Sequence, residues 1–163
     1  MLWLRAPTVT ATEPPARPEL ITTTEGLARA AAALARESRI AVDCESNGMH
    51  VYRARICTVQ LAAARPNEPA STVYVVDTIA VRDLAPLARL LGPMGPTAVL
   101  HDAFFDAFLL TAEGITLHRV LDTALHARFL GVRETGLASL LRARFDVSVS
   151  KALQSHDWDL RPL

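Results

Sequence analysis

The apolar positions of this chain change period in a regular order, and the changes mark out its elements. Leu27, Ala30, Ala31 and Leu34 recur at helical spacing behind Thr22-Thr23-Thr24-Glu25, a run that offers an N-cap, so a helix is predicted to about Glu37. Ile40 to Glu45 is then a short apolar run that ends on two acids, and Arg55 to Ala63 (RICTVQLAA) is rich in β-forming residues. Ser46-Asn47-Gly48 opens the loop between these two strands. Arg65 to Pro69 is a connection to a third strand, Thr72 to Val76, which closes on Asp77. Three strands in succession with short connections predict an antiparallel meander.

The helical period returns at Leu84, Leu87, Ala88 and Leu91 and is stopped by Gly92-Pro93. Thr97 to Leu100 reads as a fourth strand, and His101-Asp102 leads into a helix from Ala103 to about Glu113. A crossover helix ahead of a strand places that strand parallel to a neighbour. Helices from about Leu121 to Leu130, behind Asp122-Thr123, and from Gly136 to Phe145 follow, and the tail from Val147 to Leu163 has weak periodicity. The expectation is an α/β fold with a mixed sheet, three antiparallel strands and then parallel strands, flanked by helices. Residues 1–18 carry Pro7, Pro14, Pro15 and Pro18 and no period, so they read as a flexible leader to one domain over 19–163.

Composition supports one domain: 163 residues, 50% hydrophobic, suffice for a single buried core. Seventeen basic residues balance seventeen acidic ones, so net charge gives no argument for a polyanion-binding protein. Any affinity for nucleic acid has to come from a local patch, such as Arg142, Arg144 and Lys151, or from bound metal. Cys44 and Cys57 lie in apolar runs and make neither a disulfide framework nor a zinc site; they are expected to be buried, reduced thiols. Met1 to Arg5 is too short for a signal-peptide core and no run approaches a membrane span, so a cytoplasmic protein is expected.

The chemistry concentrates in two stretches. In a strand over Ile40 to Glu45 the period of two puts Asp43 and Glu45 on one face, with Val42 and Cys44 on the other. Two adjacent carboxylates repel, and a hard cation such as Mg²⁺ or Mn²⁺ between them would suit oxygen ligands at that spacing. A solvated strand end is the alternative. In VLHDAFFDAFLL, Asp102 falls where a helix N-cap belongs, whereas Asp106 lies a turn further in, beside Phe104, Phe105, Phe108, Leu109 and Leu110, which are expected to pack on the sheet. An acid among packing residues is costly unless it is paired or bound to metal.

Four runs, IAVDCESNGMHVYRARICTVQLA, VLHDAFFDAFLL, LDTALHARFLG and SKALQSHDWDLRPL, resemble in order and spacing the ribonuclease D group of the DEDD 3′–5′ exonucleases, over about Leu20 to Leu163. The resemblance implies a ribonuclease H-like fold and hydrolysis of phosphodiesters from the 3′ end of RNA or DNA with two divalent cations, Mg²⁺ or Mn²⁺. It implies that Asp43 bridges both cations, that Glu45 holds the one nearer the attacking water, and that Asp106 helps with the other. It also implies that the loop after the first motif meets the terminal nucleotide, with Met49 wedged against a base and His50 or Tyr52 touching phosphate or stacking, an ordinary loop residue being the alternative for each. Asp122 matches a family aspartate and is equally an N-cap, His101 reads as a strand-end hydrogen-bonding residue, and Trp158 with Arg161-Pro162 reads as packing.

The family's third motif is a tyrosine followed four residues later by a fourth metal-binding aspartate, on a helix beyond the Arg-Pro-Leu element. No Tyr-x-x-x-Asp or His-x-x-x-x-Asp occurs downstream of Asp106. The expectations are therefore a missing C-terminal helix, apolar sheet surface left uncovered, and three readings. These are a piece of an active nuclease, a domain completed by a partner chain or a second copy, and a non-catalytic module that binds nucleic acid or protein.

Overall fold

The computed structural model describes residues 18–63, 72–150, 152–153 and 156–163. The leader, apart from Pro18, the Arg65 to Pro69 connection and Lys151 lie outside the described residues. The chain runs β1 (Glu19–Ile21), α1 (Thr24–Leu34), β2 (Arg39–Ser46), β3 (Ile56–Ala63), β4 (Val73–Asp77), α2 (Ala85–Leu90), β5 (Thr97–Leu100), α3 (Phe104–Ala112), β6 (Val120–Asp122), α4 (Thr123–Phe129) and α5 (Leu137–Phe145). The strands form one mixed sheet in the order β1-β4-β3-β2-β5-β6. β2, β3 and β4 are the antiparallel meander, and β5 and β6 add in parallel beside β2.

Two edge strands depart from the expected pattern. Glu19–Ile21 pairs in parallel with β4, and Val120–Asp122 pairs with β5. At three residues each they are too short to show a period of two, and only the neighbouring strand defines them. Leu121, expected in a helix, is therefore in a strand opposite Val99, and the helix starts at Thr123.

The core lies on one face of the sheet. Ile40 and Val42 of β2, Val59 and Leu61 of β3, Val76 of β4 and Leu100 of β5 point toward the buried stripes Leu27/Ala30/Leu34 of α1, Leu87/Leu90 of α2 and Leu109/Leu110 of α3. Thr23 caps α1 by accepting the Gly26 N–H at 3.1 Å. The opposite face is open: Arg39, Ala41 and Asp43 of β2 are exposed, and a groove of about 320 Å³ runs over Ala41, Asp43, Gln60, Val73, Val99 and His101. Gln60 Oε1 on that face is buried without a hydrogen-bond partner among the described residues.

Arg161 corrects an expectation. Its guanidinium grips Asp77 at both oxygens, at 2.7 Å each, and donates to Cys57 O at 3.1 Å and to Trp158 O at 2.7 Å. Its contribution is therefore a bidentate charge pair that ties the tail to β3 and β4, more than packing. Asp77 also accepts the Ile79 and Ala80 N–H groups at 3.0 and 3.1 Å. Burial works to raise its pKa, and Arg161 with those N–H groups more than offsets this, leaving it lowered. No helix among the described residues is long and apolar enough to cross a membrane.

Removing one partner leaves the other charge largely buried, so Asp77→Ala is expected to cost roughly 3 kcal/mol in urea unfolding. A loss under about 1 kcal/mol would show that the tail contributes little to holding the fold.

Candidate active site

β2 lies inside the sheet, antiparallel to β3 and parallel to β5, and its C-terminal end carries the acid pair. Asp43 lies opposite Gln60 and Glu45 opposite Thr58, and the register breaks in a bulge between Glu45 and Ser46. The bulge turns the chain out of the sheet just past Glu45. Asp106 comes from the other side: α3 packs on β2 through Leu109 and Leu110, and its first turn brings Asp106, only 8% exposed, to the same strand end. There its carboxylate faces the thiol and backbone N–H of Cys44.

The three acids share one field. Burial first, and then the charges of Asp43 and Asp106, push Glu45 up to about 7. Burial and the charge of Asp43 push Asp106 up to about 6, against the Cys44 hydrogen bonds that lower it. Asp43, the most open of the three, is also raised by the protein packed around it, while the Cys44 N–H and His101 work the other way. The structure thus brings Asp43, Glu45 and Asp106 within electrostatic reach of one another. Among the described residues no group of three or more His, Cys, Asp or Glu is drawn close enough to hold an ion as placed. The donor set consists of oxygens of like charge, which suits a hard divalent cation; the soft thiol of Cys44 packs toward the core.

The aromatic residues of α3 do not pack on the sheet as expected. Phe104 is 83% exposed, and Phe105 and Phe108, ring centroids 6.4 Å apart, are also exposed. Helical geometry allows one face of α3 to reach the core, and Leu109, Leu110 and Asp106 occupy it.

Asp102 does not cap α3. Ala103 holds that position without a side-chain bond, and Asp102 has a left-handed φ of 60°. The carboxylate that does the work is Asp122, which accepts the N–H groups of Asp102 and Ala103 at 3.1 and 3.0 Å and those of Ala124 and Leu125 at 2.9 and 3.1 Å. It caps α4 and pins the start of α3, and so sets where Asp106 lies. Burial raises its pKa and these four N–H groups outweigh that, leaving it lowered. His101 is the strand-end hydrogen-bonding residue expected, with Nδ1 2.9 Å from Thr123 Oγ1.

Met49, 74% exposed, and His50 lie at the outer turn of the loop after Glu45, and Tyr52 is fully exposed. The loop is closed by Asn47, 3% exposed, which the sequence marks only as a turn residue. Its Oδ1 accepts the Arg55 N–H at 3.0 Å, its carbonyl accepts the His50 N–H at 2.9 Å, and its Nδ2 donates to Asp159 Oδ2 at 3.1 Å. Asp159 also pairs with the Arg55 guanidinium. No local pattern signals a contact between residues 112 positions apart; the Ser-Asn-Gly turn was its only trace.

Fold and site together define a nuclease-like α/β domain of the ribonuclease H-like class. The chain superposes on the crystal structure of Escherichia coli RNase D with a TM-score of 0.77 and 28% identity, over 91% of this chain and 38% of that one. The catalytic core of RRP6 from Trypanosoma brucei shares the fold at a TM-score of 0.82 and 24% identity, over 100% of this chain and 44% of that one. Ribonuclease D of Gluconacetobacter diazotrophicus is 34% identical over 149 residues, 90% of this chain and 36% of that protein. A family described as 3′–5′ exonuclease matches residues 18–163, and the chain belongs to it, as a ribonuclease D-like DEDD exonuclease domain. The chain spans little more than a third of the length of the ribonuclease D relatives it matches.

An acid whose pKa is higher folded than unfolded takes up a proton on folding, so it removes stability as pH rises between the two values. For Glu45 that window runs from 4.5 to about 7. Glu45→Gln should therefore raise the thermal midpoint at pH 8 by roughly 2–4 °C and change it little at pH 4.5, with melting curves at the two pH values as the check. Equal shifts at both would show that charge is not the cause.

Proposed function

We propose that this chain carries the metal-dependent hydrolytic site of a ribonuclease D-type 3′–5′ exonuclease, removing nucleotides from the 3′ end of a nucleic acid. The observation that carries the reading is the gathering of Asp43, Glu45 and Asp106 at one strand end, with the pKa values of Glu45 and Asp106 raised by burial first and then by the charge of neighbouring carboxylates, Asp43 acting on both. Like charges so placed favour uptake of a cation. Asp43, Glu45 and Asp106 would hold two divalent cations, Mg²⁺ or Mn²⁺. Bound there, they would supply Lewis-acid activation of a water and stabilisation of the leaving oxygen in an in-line displacement at phosphorus.

The chain's own residues do the rest. Asp122, through the backbone of Asp102 and Ala103, fixes the helix that carries Asp106. The bulge after Glu45 sends the loop away from the sheet, leaving the carboxylates approachable, and Met49 and His50 are offered to the terminal nucleotide as an apolar wedge and a phosphate contact. The solved E. coli relative is an exoribonuclease involved in structured RNA processing, and RNA is the first substrate to try.

The open groove favours a second reading of the same site. The fourth carboxylate and the water-orienting tyrosine have no counterpart in residues 107–163, and Gln60 Oε1 beside Asp43 has no donor among the described residues. Full activity then requires a helix from outside these residues, of a longer chain, a partner chain or a second copy, laid in the groove.

The test is Mn²⁺-dependent shortening of a single-stranded RNA with a free 3′ end, and of a matching DNA, beside Asp43→Ala. Stepwise shortening that falls by at least about 10²-fold in the variant supports the site as it stands. No shortening, with Mn²⁺ raising the melting temperature of the wild type but not of Asp43→Ala, supports the incomplete site; no effect of Mn²⁺ on either protein sinks both.

A further inference from the structure

The contacts of Asp159 reach toward the site from the far end of the chain and are used by nothing above. The tail turn Asp157 to Arg161 is internally closed: the Asp159 N–H donates to Asp157 Oδ1 at 3.1 Å, the Leu160 N–H to Asp157 O at 3.2 Å, and His156 and Trp158 stack edge to face at 5.0 Å. Arg161 bolts this turn to Asp77 and Cys57. The turn holds one carboxylate, half-buried Asp159, against the two ends of the loop that follows the acid pair. One oxygen accepts from Asn47 Nδ2 and the other pairs with Arg55.

Asn47 is two residues past Glu45 and Arg55 is one residue before β3. The bonds Asn47 N–H to Arg55 O at 3.4 Å and Arg55 N–H to Asn47 Oδ1 at 3.0 Å close the loop's neck, and Asp159 clamps that neck from outside. The loop is tightly folded above it: a Cβ on Gly48 would lie 3.1 Å from Ala54 Cβ and 3.8 Å from Phe105 Cζ, so the loop leans on the helix that carries Asp106. A rigid neck fixes where Met49 and His50 stand relative to the carboxylates. Without the clamp, the neck keeps only its two bonds between Asn47 and Arg55, one of them long, and the buried Asn47 amide loses its partner.

We propose that Asp159 is a positioning residue, a latch by which the C-terminal tail holds the loop from Ser46 to Arg55 in the arrangement that receives the 3′-terminal nucleotide. It touches no reacting atom and acts through Asn47 and Arg55. The proposal rests on the nuclease reading of the site.

The experiment uses the full chain with Mn²⁺ and a single-stranded RNA whose last linkage is a hydrolysis-resistant phosphorothioate, so that binding is read without turnover. Asp159→Ala is expected to weaken binding about tenfold and to speed amide exchange of the 47–55 segment by a similar factor, with a small fall in melting temperature, while exchange in β3 stays near wild type. The charge swap Arg55→Asp with Asp159→Arg should recover part of both losses, which a merely destabilising change would not. Unchanged exchange in the loop overturns the latch, and so does a loosened loop that binds RNA as well as wild type. A wild-type chain that binds no RNA sinks the nuclease reading itself, a result distinct from either.

Discussion

Mutual repulsion of three carboxylates at the end of β2 is the constraint on which the rest of the structure depends. Left to themselves, acids so placed would move apart or take up protons, and the pKa values of Glu45 and Asp106 are raised by burial first and by neighbouring carboxylates second. The fold prevents separation with backbone that has no freedom to yield. Asp43 and Glu45 are paired with Gln60 and Thr58 of β3, on a strand that β5 also pairs as far as Ala41. Asp106 is on a helix whose Leu109 and Leu110 are locked in the core and whose start is pinned by Asp122. Stability surrendered at one strand end is offset by apolar burial elsewhere, a common arrangement at functional sites.

Carboxylates also do the opposite work in this chain, and the surroundings decide which. Asp77, Asp122 and Asp159 all have lowered pKa values, each for want of like-charged neighbours and presence of donors: a guanidinium and N–H groups for Asp77, four N–H groups for Asp122, and Arg55 with Asn47 for Asp159. These three hold the structure and contribute stability that is lost only as pH falls through the carboxylate range. Two populations of acid thus pull the pH profile in opposite directions. The raised group is the one gathered at the strand end.

The two faces of the sheet show the same division of labour. One is closed by α1, α2 and α3 over a continuous apolar core. The other carries the acids beside an apolar groove and the unpartnered Gln60 Oε1. The tail, bolted through Arg161 to Asp77 and through Asp159 to Asn47, ties the meander to the loop that follows the acid pair.

The sequence by itself determined the meander, the parallel return at Thr97 to Leu100, the helices, and the pair Asp43 and Glu45 on one face, because periods of two and 3.6 are local properties of the chain. Motif order was enough to indicate the family and to single out Asp106. Only the tertiary structure decided the edge strands, too short to have a period. It alone turned Phe104, Phe105 and Phe108 outward, since a helix can give one stripe to the core and the leucines with Asp106 took it. It alone moved the capping role from Asp102 to Asp122, and joined Asn47 to Asp159 and Asp77 to Arg161 across 112 and 84 residues. Contacts of that range leave no periodic trace in the sequence, because they depend on where the whole sheet brings the chain's distant ends together.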